Sequence, residues 1–298
     1  MKPKVTRISI SILFAIIAST SAQAQVWALP DGVWQLSASY TWFHYDKAYI
    51  DNNTTIDLPL TVFDKTLTID AQYGITDHIT AIARIPYKML HTEGDPALYN
   101  SYPDRYIETG ELNTIGNPEF GLIWKIYDYK PALTASLIVE ANTSDRNYIT
   151  GLQSGFNSWA FRPGVGAGWG FDRSWLQFYT GMSIRTNDYN MAVMSDLEAG
   201  YRFADYWWGA IAFDMRKPSV SGTDCDCSTE ATMLYQNDQE YYALALKTGF
   251  VLYKNWGLNF GYHLGLAGND VAATAVPVIG VMYKSPQRIT HTTITPKF

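Results

Sequence analysis

Charged side chains recur at one parity of this 298-residue sequence, inside stretches whose other parity is apolar. Asp70, Arg84, Glu119, Lys125, Glu140, Arg162, Arg185, Asp196, Glu198, Arg202, Asp214 and His263 fit that description, as do Lys88, Arg216 and Lys247. Both signs are present. If such side chains converge on one wet interior, facing charges of opposite sign create a transverse field that orients polar solutes. The competing expectation is an interior closed by its own salt bridges, since small barrels are filled by side chains. Covalent catalysis asks for a different set: a nucleophile, a base and an orienting group close together. The histidines do not supply it. No Ser lies in register with His44, His78 falls in a predicted turn, and His263 is a lone polar liner. No GxSxG, HExxH or P-loop pattern occurs. The residues point to the lining of a path and not to an enzyme, and they call for no cofactor and no metal.

Strands must position these charges, and the stretch 65–87 shows how. Leu67, Ile69, Ala71 and Tyr73 share one parity, and Thr66, Thr68, Asp70 and Gln72 the other. After the turn 74–78, Ile79, Ala81, Ala83, Ile85 and Tyr87 form the apolar face, opposite Thr80 and Arg84. This period of two is that of a strand with one apolar and one polar side. Each arm is about nine or ten residues, the length of a tilted strand that crosses a bilayer. Tyr73 and Tyr87 suit two aromatic girdles.

The unit recurs. A first strand is predicted over 33–45, followed by a polar loop over 46–59, the hairpin, and a long polar segment over 89–117. Further strands follow at 120–127, 133–142, 159–169, 175–186, 196–202, 211–216, 241–252, 258–264 and 271–284. The expected fold is all-β: a transmembrane antiparallel barrel of about twelve strands, closed as an up-and-down meander. Short turns alternate with longer loops, which puts both termini on the periplasmic side. So few residues precede the first strand that no separate plug is expected. Pro86, Pro163 and Pro277 fall inside predicted strands, where a missing donor should mark a bulge or a strand end.

Energetics choose the face that meets lipid. Arg84, Arg162, Arg185 and Arg202 all belong to the polar parity. Each would cost roughly 2–4 kcal/mol if it faced lipid near the midplane. Several such costs exceed the whole stability of a domain, on the order of 5–15 kcal/mol. The charged face is therefore expected to be the lumen. A secreted β-sandwich also alternates, but it does not require repeated arms with aromatics at both ends. Aromatics make up 15% of the chain, with 21 Tyr and 10 Trp, which suits strands that meet lipid interfaces.

Residues 1–24 read as a cleaved signal peptide. Lys2, Lys4 and Arg7 precede an apolar core over 8–21, and Ala22-Gln23-Ala24 fits the cleavage pattern. The core is too short to span a bilayer, which needs roughly 20 residues. No Cys at the cleavage point offers a lipoprotein anchor. Residues 25–298 then form a single barrel domain in the outer membrane of a Gram-negative envelope. The formal charge of −6 becomes more negative once the basic leader is gone. That argues against nucleic acid as a partner, because phosphate binding needs clustered Lys and Arg. The expected partners are the lipid bilayer, a small-molecule solute and the outer-membrane assembly machinery, which commonly reads a terminal aromatic such as Phe298. Cys225 and Cys227 form either a strained Cys-Asp-Cys disulfide or a pair of thiols, and a lone CxC is weak evidence for metal. The segment 89–117 carries Glu93, Asp95, Asp104, Glu108 and Glu111 against Arg105. It is expected to be a solvated outer loop in preference to an inward constriction or a divalent-cation site. The tail 285–298 either hangs free after a strand ending near Tyr283 or itself completes the barrel.

Tyr73-Gly74-Ile75-Thr76-Asp77-His78-Ile79, followed by Ala81-x-Ala83-x-Ile85-Pro86-Tyr87, resembles a hairpin signature of the outer-membrane family named for the meta-pathway of phenol degradation. Tyr201-Arg202-Phe203-Ala204-Asp205 is a looser copy. The specific motif covers about fifteen residues, while the general plan covers the mature chain. The resemblance implies a barrel of roughly twelve strands that carries small, often aromatic or hydrophobic, compounds. It transfers no binding residues. The expected function is a channel or transporter for small molecules. The alternative is a non-conducting structural or adhesive barrel that works through its outer loops.

Overall fold

The computed structural model describes residues 26–50, 53–96, 106–219, 231–253 and 255–286. The expected signal peptide, both cysteines and residues 287–298 of the tail lie outside the described residues. The described chain is all-β. Its strands are β1 (Trp34–Ile50), β2 (Thr54–Thr76), β3 (Ile79–Gly94), β4 (Glu111–Ile115), β5 (Glu119–Asp128), β6 (Ala132–Glu140), β7 (Arg146–Asn147), β8 (Leu152–Gln153), β9 (Ala160–Gly170), β10 (Ser174–Arg185), β11 (Ala192–Ala204), β12 (Trp207–Pro218), β13 (Glu240–Tyr253), β14 (Trp256–Asn269), β15 (Val271–Ala272) and β16 (Ala275–Lys284).

Each long strand pairs antiparallel with the next, and β1 pairs with both β2 and β16. The sheet therefore closes on itself as a barrel of twelve arms. β4 and β15 are short pieces of two of those arms. β4 continues the β3 pairing outward of β5, and β15 continues the β1 pairing outward of β16. β7 and β8 form a separate two-stranded ribbon in an outer loop. Closure is made by β16, which pairs with β1 and ends at Lys284.

The alternation sorts side chains as the energetics require. Leu36, Leu67, Ile85, Leu122, Leu137, Val165, Leu197 and Ile211 point outward and are exposed. On an isolated protein in water this would be a large apolar surface, but against acyl chains it has no solvation cost. Trp34, Tyr73, Tyr127, Phe203, Trp207, Trp256 and Tyr283 ring the short-turn end, and Trp42, Tyr87, Trp159 and Phe161 ring the other. These two girdles mark the interfaces, and the short-turn end is periplasmic by the usual barrel rule.

The prolines fall where a ladder stops. Pro86 lies between the stretches of β3 that pair with β4 and with β5, and there its carbonyl accepts the Gly116 N–H. Pro163 sits where the pairing of β9 with β10 skips, and Pro277 where the pairing of β16 with β1 ends. A ring without an N–H is tolerated there because no donor is needed.

Three expectations are overturned. The predicted loop over 46–59 is mostly strand, since β1 runs to Ile50 and β2 starts at Thr54. Polarity misleads here, because strand residues beyond the membrane lose their apolar face without losing their hydrogen bonds. The segment 89–117 is not simply a solvated loop: β3 runs to Gly94, β4 rejoins it, and Ile107 is fully buried against Leu60 and Ala231. Residues 26–31 are not a bare leader to β1. They fold into the periplasmic mouth, where Val26 and Leu29 are buried.

Candidate functional site

The lumen is built from the inward parity of every arm. Asp70 on β2, Arg84 on β3, Glu119 on β5, Glu140 on β6, Arg162 on β9 and Arg185 on β10 join into one alternating chain of charges. Arg84 Nε lies 2.5 Å from Asp70 Oδ1, and its Nη1 lies 3.2 Å from Glu119 Oε2. Arg162 Nη2 donates to Glu119 Oε1 at 2.9 Å and also bonds Glu140. Arg185 clasps Glu140 with two bonds, Nη1 to Oε1 at 2.9 Å and Nη2 to Oε2 at 3.0 Å. Asn117 Nδ2 adds a third kind of donor to Glu140 at 2.9 Å. The signs alternate along the contacts although not along the arms, since β5 and β6 both give carboxylates (Glu119 opposite Glu140) and β9 and β10 both give guanidiniums.

A second group lies on β10 to β14. Glu198 accepts from Lys247 Nζ at 2.9 Å, from Gln177 Nε2 at 3.0 Å and from Trp175 Nε1 at 2.9 Å. Asp196 stands directly across from Asp214, and His263 Nδ1 lies 4.0 Å from Asp214 Oδ2. Among the described residues neither oxygen of Asp196 has a hydrogen-bond donor. Two predicted lumenal residues stand apart from these groups. Lys125 sits near the periplasmic turn and pairs with Asp128 at 2.8 Å, and Arg202 is buried near the same end of β11. His263 is thus not a lone liner but the edge of a cluster.

The wall formed by β14, β16 and β1 is different. Its inward residues include Ser37, Ser39, Gly261, Val278 and Gly280, which are small or neutral. A cavity of about 40 Å³ lies between this wall, which also carries Asn259 and His263, and Asp70, Gln72, Arg84 and Lys247. That is room for a few waters, at roughly 10–15 Å³ each on this measure.

Both mouths are covered. At the periplasmic end Trp27 Nε1 donates to Gln177 Oε1 at 3.0 Å, and the Leu29 N–H donates to Thr80 Oγ1 at 2.7 Å. The wall makes room for this segment with glycine: a Cβ on Gly166 would lie 2.9 Å from Val26, and one on Gly168 2.8 Å from Val26 and Trp27. At the outer end the inward parity turns apolar. Tyr45, Val62 and Leu90 from the wall pack with Leu152 from β8 and Leu234 from the loop before β13. Tyr45 Oη donates to the Thr232 carbonyl at 2.6 Å, and Thr232 Oγ1 donates to the Gly151 carbonyl at 2.7 Å. Below this cap Lys88 Nζ reaches Asp64 Oδ2 at 2.7 Å.

Sequence reasoning missed Asp64, Gln177, Trp27 and Phe156. Asp64 continues the parity of Thr66 and Asp70, so its placement was readable had β2 been drawn longer. Gln177 has the inward parity of Arg185, but nothing in the pattern marks it as the link between Glu198 and Trp27. Phe156 sits in a polar loop and carries no periodic signal.

No family model matches the sequence, and no curated protein matches it. The resemblance to the meta-pathway family therefore rests on the hairpin motif alone. Among solved structures, the fold is similar to the COG4313 outer membrane channel from Pseudomonas putida F1, with a TM-score of 0.68, 15% sequence identity, and coverage of 88% of this chain and 98% of that chain. It is also similar to the translocator domain of the autotransporter NalP from Neisseria meningitidis, with a TM-score of 0.50, 10% identity, and coverage of 86% and 89%. Likeness at these identities concerns the fold, and that fold is the closed β-barrel of the outer membrane.

Proposed function

We propose that the protein is a gated outer-membrane channel for small molecules, with residues 26–31 as its periplasmic stopper. One observation carries this reading. The periplasmic mouth is closed by a separate segment resting on glycine-lined wall, so opening it requires no rearrangement of the barrel. The central cavity and the charged chain line the lumen between that segment and the outer cap. A solute passing them meets carboxylates and guanidiniums on one side and small residues on the other. The solved relative in fold, itself described as an outer membrane channel, is consistent with the same role.

A structural barrel is the second reading, favoured by the unbroken ion-pair chain from Asp70 to Arg185, which fills much of one side of the lumen. Single-channel recording of the refolded protein in planar bilayers separates the two. The intact chain is expected to stay closed or to open briefly. Trp27→Ala, and deletion of residues 26–31, should give steady conductance. Silence from all three, with barrels shown to be folded by heat-modifiable gel mobility, rejects the channel in favour of the structural role.

A further inference from the structure

Arg216 projects from β12 into the outer half of the lumen. It is only 6% exposed and makes no hydrogen bond or ion pair among the described residues. Its Nε is buried with no hydrogen-bond partner among the described residues, and an N–H that has left water for nothing is costly. Of the groups around it Tyr241 favours the cation, but the ion-pair chain does little for it. Arg185 and Arg162 are of the same sign, and Glu140 is already held by both. In the ion-pair chain three carboxylates already face three guanidiniums, so Arg216 stands beside it as a fourth cation.

What lies against Arg216 is an aromatic ring. Phe156, from the loop 141–159, stands with its centroid 5.1 Å from Arg216 Cζ and 3.8 Å from Arg185 Cζ. Tyr189 and Tyr235 meet the same ring nearly at right angles, with centroids 5.6 and 5.2 Å away. Two guanidiniums and two phenol rings therefore form a slot shaped for one planar aromatic group. Phe156 fills the slot and satisfies its faces, but it brings no negative charge to the surplus cation. Its backbone is fastened independently of the ring: the Phe156 carbonyl accepts from Asn117 Nδ2 at 2.7 Å and from Ser144 Oγ at 3.1 Å. The ring can leave by side-chain rotation while the loop stays anchored.

We propose that this slot is a binding site for a small aromatic carboxylate. The ligand ring takes the place that Phe156 occupies, and its carboxylate takes the donors of Arg216. This names a solute class for the channel reading and rests on it only for the idea that solutes enter the lumen. A neutral arene would exchange one ring for another with no new ion pair. An aliphatic carboxylate would pair with Arg216 but leave the cation and tyrosine faces unfilled. Charge and ring together distinguish the ligand, because a planar guanidinium pairs with carboxylate in a bidentate fork and also stacks on aromatic faces.

Binding to the refolded full chain in detergent, measured by calorimetry at constant pH and ionic strength, tests the site without requiring conduction. The probes are benzoate, benzyl alcohol and propionate. Benzoate is expected to bind the native sequence, with both other probes weaker by about tenfold or more, the usual worth of one charge-assisted contact. Phe156→Ala removes the internal occupant and should tighten benzoate several-fold. Arg216→Met should weaken benzoate by about tenfold or more while leaving the barrel folded, because it removes an unpaired buried charge. Arg216→Lys should restore part of the loss. Equal binding of benzoate to the native chain and to Arg216→Met overturns the proposal, and so does benzyl alcohol binding as tightly as benzoate. No benzoate binding to either the native chain or Phe156→Ala overturns it too. Conductance without benzoate binding would sink this site and leave the channel standing. Benzoate binding without conductance in any stopper variant would do the reverse.

Discussion

The two mouths of the barrel are closed by different physics. The outer mouth is sealed by an apolar core in which wall residues Tyr45, Val62 and Leu90 interlock with Leu152 and Leu234 from separate loops. Thr232 Oγ1 ties those two loops together through the Gly151 carbonyl at 2.7 Å, Glu108 N–H joins the segment after β3 to the Ile149 carbonyl at 2.8 Å, and Ser154 N–H braces the Leu152 loop internally on the Asp145 carbonyl at 3.0 Å. The periplasmic mouth is closed by a single short segment. It rests on glycines and is held by a few bonds, chiefly Trp27 to Gln177 and Leu29 to Thr80. Burial of many side chains at once makes a cooperative lid that is slow to lift. A single segment can leave alone, at the cost of its own contacts. A barrel with one fixed and one removable closure is therefore asymmetric in how it can open.

Substitutions can break or sharpen that contrast. The largest effect is expected at Glu140, which fastens Arg162, Arg185 and Asn117 beneath the outer loops. Glu140→Leu strands the buried Arg185 guanidinium and leaves Arg162 with Glu119 alone, and losing one partner of a buried pair costs about 3–5 kcal/mol. The midpoint of denaturant unfolding should fall accordingly, and the loop 141–159 should become open to protease in intact cells. An unchanged midpoint would mean that the ion-pair chain does not hold the outer half together.

Leu152→Ala removes a fully buried side chain from the outer core, at about 2–5 kcal/mol. Its loss should raise proteolysis of the outer loops without producing steady conductance, because the periplasmic segment still closes the path. Steady conductance from this variant alone would put the gate at the outer mouth instead.

Gly168→Ala is expected to have the smallest effect on stability and a clear one on conduction. Its Cβ would stand 2.8 Å from Val26 and Trp27, too close to be accommodated unless the segment moves. Eviction costs the barrel only the contacts of the segment, since the wall of β9 keeps its ladder. The variant should conduct as Trp27→Ala does and unfold near the native midpoint. A closed channel in Gly168→Ala would show that the segment can shift sideways and still seal.

How much of this was legible beforehand varied with physical origin. Arg84, Arg162 and Arg185 announce their face by parity, because lipid excludes them from the other side. Trp124 and Leu122 announce theirs by the same rule read in reverse. The strands beyond the membrane were not legible in this way, for the outer halves of β1 and β2 lack the lipid constraint that creates the pattern. Pro86 and Pro277 were legible as ladder ends, since a missing donor has few places to go. Asp64 and Lys88 form a pair that parity permits but does not predict.

Sequence alone determined that this chain alternates, that its charges share a side, and that about twelve arms are long enough to cross a bilayer. Those properties follow from local periodicity and the cost of charge in lipid. Which charges meet, and which are left over, was decided by the closed sheet. Closure sets Asp70, Glu119 and Glu140 beside their arginines and leaves Arg216 beside Phe156. It also turns residues 26–31 into the mouth that their own chain creates, against Gly166 and Gly168 more than a hundred residues away. Such contacts depend on register and curvature across many arms, and no pattern within one arm encodes them.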